Sequence, residues 1–332
     1  MGVRIAVIGA TGKVGYEILN VLSESDIDLE EVFAVSSYKS AQKKVSFGDS
    51  VIIAEAIDNF DFSRADIAIF GVSSEVSAKY APIAASKGCV VIDNSSHFRM
   101  DHDVPLIVPE VNSIEIGNYT KRNIISNPNC CAIPLVLALN PLHHHIPIEK
   151  IVVSTYQSVS GAGKSAMDEL YNQTKAKYMN DKVEPECFPR TIAFNVQPVI
   201  GEIREDGYSE EEWKIKAETQ KILDPSIIVD ATCVRVPVFV GHSESVMVEF
   251  ADEISVSEAV AILKNTPGVQ VNTRDYHTPI EIVGEDDIKI SRIRQYADRK
   301  NTLNMWIVSD NLRKGAALNA VQIAKHLINY YF

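Results

Sequence analysis

The stretch Val3-Arg4-Ile5-Ala6-Val7-Ile8-Gly9-Ala10-Thr11-Gly12-Lys13-Val14-Gly15 decides the fold. Six residues of apolar strand run directly into three glycines spaced GxxGxxG. Residues 12–25 then carry Val14, Ile18, Val21 and Leu22 at helical spacing. Strand, glycine turn and helix in that order form a phosphate-binding turn. The glycines allow a tight bend and close backbone approach, and the helix start presents free N–H groups and a positive dipole end to a pyrophosphate. Gly9, Thr11, Gly12, Lys13 and Val14 are therefore candidate dinucleotide contacts. The spacing departs from the stricter GxGxxG, so its placement after a strand carries the reading.

The next strand, residues 31–35, speaks to which dinucleotide. An NAD-specific fold commonly puts an acid at its end for the ribose 2′-hydroxyl. Here Val35-Ser36-Ser37-Tyr38-Lys39-Ser40 offers hydroxyls and a cation but no acid. Ser36, Ser37, Lys39 and Ser40 suit a 2′-phosphate, and NADP is the expected cofactor.

Further out, short apolar runs at residues 67–72, 89–93, 106–109 and 124–126 alternate with a helical pattern at 75–86. Such alternation implies a mostly parallel, doubly wound α/β sheet. From about residue 150 the texture changes to longer alternating strands at 151–159, 227–238, 245–250 and 288–293. Helical patterns occupy 164–178, 209–223 and 255–265. A second, α+β domain with a mixed sheet is expected there. The final segment, 314–331, is amphipathic through Leu318, Val321, Leu327 and Ile328; its pattern alone does not say which domain it joins.

Composition agrees with two domains. The chain has 332 residues, and cores tend to saturate near ~150. The net charge of −12 argues against nucleic acid or an anionic membrane as a partner. The acidic runs 202–212 and 281–287 read as solvated surface. Five cysteines without a CxxC suit a reducing compartment. The start lacks a signal-like apolar core, and a cytoplasmic location is expected.

Ser126-Asn127-Pro128-Asn129-Cys130 lies between a strand and the apolar run 132–139, which reads as a buried helix. Cys130 would sit at that helix's N-terminus, with Asn129 as its cap, where the dipole favours thiolate. A cysteine on an apolar helix is otherwise more often inert core, the reading given to Cys131. His242 follows a strand and the Gly241 turn and is the candidate acid/base. The adjacent His143-His144-His145 cannot place three ligands on one face, so no metal is expected.

Taken together, six motifs resemble the aspartate-semialdehyde dehydrogenase family. They are the glycine turn; Asp93-Asn94-Ser95-Ser96-His97-Phe98-Arg99; Ser126 to Cys130; Gln157-Ser158-Val159-Ser160-Gly161-Ala162-Gly163; Arg235 to His242; and Ser309-Asp310-Asn311-Leu312-Arg313-Lys314-Gly315-Ala316-Ala317. The resemblance implies NADPH-dependent, reversible reduction of L-4-aspartyl phosphate to L-aspartate 4-semialdehyde and inorganic phosphate, on the route to lysine, threonine and methionine. It implies an NADP-binding Rossmann-type domain over 1–129, with a helix at about 313–332 packing back on it. Residues 130–312 would form a catalytic and dimerisation domain resembling that of glyceraldehyde-3-phosphate dehydrogenase. By the same resemblance Cys130 is the nucleophile, Gln157 orients the acyl group, Asn129 stands beside the nucleophile and His242 is the acid/base. Arg235 would clamp the α-carboxylate and Glu211 the α-amino group, with Glu210 and Glu212 adjoining it as alternatives. Arg99 and Lys214 would hold phosphate, Ser160 and Gly161 would line the cofactor, and Asn311 would reach its nicotinamide end. A homodimer or homotetramer is implied.

Some positions depart from the family pattern. Lys39 stands where Arg is common, Gln42 and His97 replace small residues, and Cys131 replaces Ser. N-acetyl-γ-glutamyl-phosphate reductase is the alternative enzyme, although its nucleophile motif has Gly where Asn129 stands. The Ser-Cys-Thr-Thr-Asn type of motif of glyceraldehyde-3-phosphate dehydrogenase is absent. A sensing or scaffolding protein on an inherited fold would have no need to keep Cys130, Gln157, Arg235 and His242 together.

Overall fold

In the computed structural model, which describes residues 2–332, the N-terminal apolar run is the central strand β1 (Val3–Ile8), buried on both faces. Strands buried on both faces read as continuous apolar runs because helices cover each side of a parallel sheet. β1 pairs in parallel with β2 (Leu29–Ser36) on one side and β6 (Ile67–Phe70) on the other. The sheet extends through β5 (Glu55–Ala56), β7 (Val90–Asp93) and β8 (Ile124–Ser126) in the order β5-β2-β1-β6-β7-β8. A small hairpin, β3 (Lys44–Phe47) with β4 (Ser50–Ile53), stands apart. Helices α1 (Lys13–Glu24) and α2 (Ser74–Ser86) follow β1 and β6, so the strand order reverses between those two strands.

The chain divides into two compact units, Met1–Asn129 with Ala316–Phe332, and Cys130–Gly315. The first unit includes α8 (Leu318–Tyr330), whose Ala320, Val321, Ile323, Ala324 and Leu327 join the core formed by Ile5, Ile18, Leu22 and Ile69. Asn319 fixes this helix by donating through Nδ2 to the Ile107 carbonyl at 2.9 Å and to Asn127 Oδ1 at 2.7 Å.

The second unit is a six-stranded mixed sheet in the order β10-β9-β11-β14-β13-β12. Its strands are β9 (Ile148–Gln157), β10 (Ile228–Arg235), β11 (His242–Phe250), β12 (Val269–Asn272), β13 (Ile288–Tyr296) and β14 (Arg299–Ser309). β10 runs parallel to β9, whereas β11 is antiparallel to both β9 and β14. Helices α4 (Ala132–His145), α6 (Glu210–Ile222) and α7 (Val256–Lys264) pack together. α4 is apolar around its circumference and correspondingly buried, from Ala132 through Leu139. The unit also holds α5 (Lys164–Met179), and the short α3 (Pro109–Asn112) belongs to the first.

Several expectations need correction. Residues 106–109 form no strand; only the single bridge Leu106 to Ser126 exists, and Pro109 opens α3 because proline suits a first helical turn. The strand expected to reach 238 stops at Arg235, since Pro237 has no N–H to continue a ladder. The helix expected from 314 begins at Leu318, after one wide turn over Arg313–Ala317. Asn129 is not the cap residue: α4 starts at Ala132 with Cys131 at that position, and Cys130 lies in the turn before it. Glu211 and Glu212, read as solvated, are buried in the first turn of α6.

Candidate active site

In the first unit, Gly9 has φ +86°, and a Cβ there would lie 2.5 Å from the Gly71 carbonyl oxygen. A Cβ on Gly15 would lie 2.1 Å from the Gly9 carbonyl oxygen. Both positions therefore require glycine, and the turn they make opens α1, whose N-terminal cap residue Gly12 supplies no side chain. A cleft of about 480 Å³ begins at this turn, where the strand order reverses, and is lined in part by Gly9, Ser36, Ser37, Tyr38, Val72 and Lys79. Crevices at such reversal points take dinucleotides in open α/β sheets. Thr11, Gly12, Lys13 and Lys39 are exposed on the turns around it, and Val14 and Ser40 are half-buried. Lys79, donating to Tyr80 Oη at 2.8 Å, is the cation in the cleft wall. Sequence reading missed it because an exposed helical lysine carries no local signal.

Arg99 also belongs to this unit. It is buried, with Nε donating to the Asn127 carbonyl at 2.9 Å and Nη2 to the Asn94 carbonyl at 2.7 Å. The turn beneath it is organised by Asp93, which accepts from Ser95 N, Ser95 Oγ and Ser77 Oγ. His97 is exposed, its ring edge-on to Phe98 at 4.5 Å. Asn129 is buried at the end of the unit.

In the second unit the polar residues gather because four strand ends meet at one edge of the sheet. Gln157 ends β9 and Arg235 ends β10, directly opposite in parallel register. His242 opens the antiparallel β11 opposite Ser309, the last residue of β14, and Asn311 follows two residues later. Gly241, with φ +93°, makes the bend into β11; a Cβ there would meet the Pro279 carbonyl oxygen at 2.7 Å.

Each of these side chains is held. Arg235 Nη1 donates to the Ser158 carbonyl at 2.7 Å. Gln157 Nε2 donates to Glu211 Oε1 at 3.3 Å, and Lys214 Nζ donates to Glu211 Oε2 at 3.3 Å. The neighbouring Glu212 is engaged elsewhere, in a capping box with Ser209 and as acceptor for the Cys233 N–H at 2.9 Å. Glu210 is exposed, so of the three adjacent acids Glu211 alone meets Gln157 and Lys214.

His242 is fully buried, and its Nδ1 accepts from the Ser158 backbone N–H at 3.1 Å. A backbone amide can only donate, so the neutral ring carries its proton on Nε2. Ser158 Oγ lies 3.0 Å from the same Nδ1, 3.0 Å from Ser160 Oγ and 3.2 Å from Asn311 Oδ1. Asn311 Oδ1 also accepts from the Gly241 N–H at 2.9 Å, which locks the amide orientation. Ser158 was not singled out from the sequence; only the fold shows its amide and hydroxyl both facing the ring.

Cys130 is partly exposed, and its sulfur, the Cys131 sulfur and an imidazole nitrogen of His242 all lie within 4.8 Å of one another. The Cys130 thiol is held well below the ordinary thiol range. A hydrogen bond from Cys131 is the largest cause, and the imidazole acts in the same direction against burial and the Glu211 carboxylate. Cys131, pushed well above that range by burial and by its neighbour, stays protonated as the donor. Cys131 is thus buried as expected of core, and it is also a partner of Cys130. Two residues along β11, the buried Glu244 carboxyl is raised well above the ordinary range, chiefly by desolvation.

A dinucleotide-type turn in one unit, and in the other a thiol held below its ordinary range beside an imidazole, are groups that an oxidoreductase acting on aldehydes requires. Residues 4–119 match the family model for the semialdehyde dehydrogenase NAD binding domain, and residues 139–314 match that for the semialdehyde dehydrogenase dimerisation domain. The chain is 52% identical to the aspartate-semialdehyde dehydrogenase of Rickettsia bellii, covering 99% of this chain and 98% of the relative. It is 46% identical to aspartate-semialdehyde dehydrogenase 2 of Vibrio cholerae with the same coverage. A crystal structure of Vibrio cholerae aspartate semialdehyde dehydrogenase II complexed with ASA superposes with a TM-score of 0.99 at 44% identity, over 100% of both chains. The chain belongs to the aspartate-semialdehyde dehydrogenase family. The reading as N-acetyl-γ-glutamyl-phosphate reductase is not favoured. The dimerisation-domain match indicates an oligomer. Among the described residues no helix is long and apolar enough to cross a membrane.

Proposed function

We propose that the chain catalyses the reversible, phosphate-dependent interconversion of L-4-aspartyl phosphate and L-aspartate 4-semialdehyde with NADP, through a thioester on Cys130. The observation that carries this reading is the Cys130 thiol, held below its ordinary range with Cys131 and His242 within 4.8 Å. In this reading residues 1–129 with the C-terminal helix bind NADP, and residues 130–312 bind substrate and form a homodimer or homotetramer in the cytoplasm.

Cys130 thiolate attacks the acyl carbon, and the tetrahedral oxyanion collapses by expelling inorganic phosphate. Arg99 and Lys214 supply positive charge for the phosphoryl oxygens. Arg235 suits a carboxylate because its planar fork matches two oxygens at once, and Glu211 offers the opposite charge to the α-amino group. Gln157, tied to Glu211, orients the acyl group, with Asn129 beside the nucleophile. NADPH, when bound, supplies the hydride that reduces the thioester carbon. His242 gives a proton to the resulting alkoxide and takes it back as the aldehyde is released. When the ring carries its second proton, Ser158 Oγ is the acceptor within 3.0 Å of Nδ1. Proton transfer of this kind contributes ~10²–10⁴-fold.

The fit to a dinucleotide rests on the two positions where any Cβ would collide, Gly9 and Gly15, and on the cleft beside them. Gly9, Thr11, Gly12, Lys13 and Val14 would face its phosphates, and Ser36, Ser37, Lys39 and Ser40 the 2′-phosphate. Ser160, Gly161 and Asn311 would serve the nicotinamide end. Incubation with semialdehyde and NADP but no phosphate tests the covalent step. Intact-mass analysis is expected to find one aspartyl group on wild-type protein and none on Cys130→Ala; an adduct on the variant would overturn the assignment.

A further inference from the structure

Cys130 and Cys131 occupy the turn that precedes α4, with Cys131 at φ −97°, ψ −32°. Their sulfurs lie within 4.8 Å of one another, close enough for the Cys131 thiol to serve as partner to the Cys130 sulfur. Exposure separates the two: Cys130 is partly accessible, whereas Cys131 is fully buried. An oxidant from solvent therefore meets Cys130 first, with a second thiol waiting behind it.

We propose that Cys131 is a resolving thiol, and that hydroperoxides convert the Cys130–Cys131 pair into a reversible disulfide which protects the nucleophile from irreversible oxidation. In the first step Cys130 thiolate attacks one peroxide oxygen. The S–O bond forms, the O–O bond breaks, and alkoxide or hydroxide leaves to take a proton from water. Sulfur is oxidised to sulfenic acid as the peroxide is reduced. In the second step Cys131 sulfur attacks the sulfenic sulfur. The S–S bond forms, the S–O bond breaks, and the hydroxyl leaves with the Cys131 proton as water. Without a resolving thiol, a second peroxide takes the sulfenic acid to sulfinic acid, which ordinary thiols do not reduce.

The pair's geometry also makes the product easy to reverse. Adjacent Cα atoms are about 3.8 Å apart, shorter than the roughly 4.4–6.8 Å of ordinary disulfides. A strained bridge is more oxidising and yields readily to a dithiol. The remaining thiols are badly placed to substitute. Cys89 is buried in the first unit, Cys233 is buried within β10, and the exposed Cys187 lies on the segment tied through its N–H to Glu169.

The test treats the full chain with a small excess of hydrogen peroxide and alkylates the remaining thiols under denaturing conditions. It reads the intact mass, the tryptic peptide 123–150, and the activity before and after dithiothreitol. Wild type is expected to lose two hydrogens, to show neither cysteine of that peptide alkylated, and to regain its activity with dithiothreitol. Cys131→Ser is expected to gain two oxygens on Cys130 and to recover an activity fraction at least ~tenfold lower. The wild-type mass stands alone should the variant fold poorly. Sulfinic acid on wild-type Cys130 with Cys131 alkylated would overturn the proposal, as would equal recovery of the variant or a bridge from Cys130 to Cys187.

Discussion

Gly161, proposed above to line the cofactor, offers a way to perturb the site without removing any functional side chain. It is exposed, its φ lies outside the left-handed region, and alanine is compatible with its backbone. The added Cβ would sit 3.1 Å from Arg235 Nη1, 3.3 Å from His242 Nε2 and 3.4 Å from His242 Cε1. The first two contacts are tighter than ordinary van der Waals spacing, so one neighbour must yield by a few tenths of an ångström. Neither yields freely, because both are tethered to Ser158: Arg235 through its carbonyl at 2.7 Å and His242 through its N–H at 3.1 Å. The methyl group also covers the approach to both nitrogens. Losing one charge-assisted hydrogen bond to a substrate carboxylate costs about 1.5–3 kcal/mol. At 1.36 kcal/mol per decade that is roughly a 10–100-fold fall in kcat/KM. The entropy gain of about 0.4–1 kcal/mol that Gly→Ala brings through the unfolded chain is opposed by this crowding, so no rise in Tm is expected. Steady-state kinetics with the semialdehyde, NADP and phosphate, alongside thermal unfolding, make the check. An unchanged or higher Tm with kcat/KM within about threefold of wild type would refute the reasoning.

Four further outcomes follow from the structure. Cys130→Ala should abolish turnover while NADP affinity, measured by fluorescence titration, stays within about twofold; retained turnover would remove Cys130 from the mechanism. Arg235→Leu should raise KM and lower kcat/KM by more than ~10²-fold, through loss of the fork and a poorly filled cleft. By contrast, His143→Ala should leave kinetics unchanged and lower stability by about 1 kcal/mol, as the Ile148 N–H loses its 2.9 Å acceptor. Equal kinetic losses in the two variants would contradict the site map. Alkylation by iodoacetamide should persist at Cys130 as pH falls below the ordinary thiol range, since a lowered pKa keeps the thiolate populated there. Cys89, pushed up to about 12 by burial, and Cys233, raised further by the same cause, should stay unmodified in the native protein at that pH. Peptide mapping that finds Cys130 no more reactive than those two would refute the activated-thiol reading.

How much of this was legible in the sequence depended on whether the determinant was local. The β1–Gly9–α1 unit announced itself because strand period, glycine spacing and helix period are all read from the twenty neighbouring residues 3–22. His242 was legible as the residue after a glycine bend, and the bend is required by the Pro279 carbonyl oxygen. Ser158 was not, because its role comes from strand register, which sets β9 against β11 and turns its amide toward an imidazole 84 residues away. The ambiguity among Glu210, Glu211 and Glu212 could not be settled by adjacency. A capping box engages Glu212, and helical geometry sends Glu211 to Gln157. Cys131 was read as core because burial and chemistry are not exclusive: a fully buried thiol can still donate to its neighbour. The helix begins at Ala132, where the apolar run placed it, and only the cap position shifts by two residues, from Asn129 to Cys131, because the proline at 128 favours a turn before it.

The central claim is that Cys130 carries out a phosphorylating oxidation of aspartate semialdehyde. The most direct measurement is NADPH formation at 340 nm by the purified protein, with L-aspartate 4-semialdehyde, NADP or NAD, and phosphate present or omitted. The N-acetylated glutamate semialdehyde serves as control substrate. The account predicts turnover that requires phosphate, favours NADP, and is lost with the acylated control. Turnover independent of phosphate, or none with either cofactor, would contradict it.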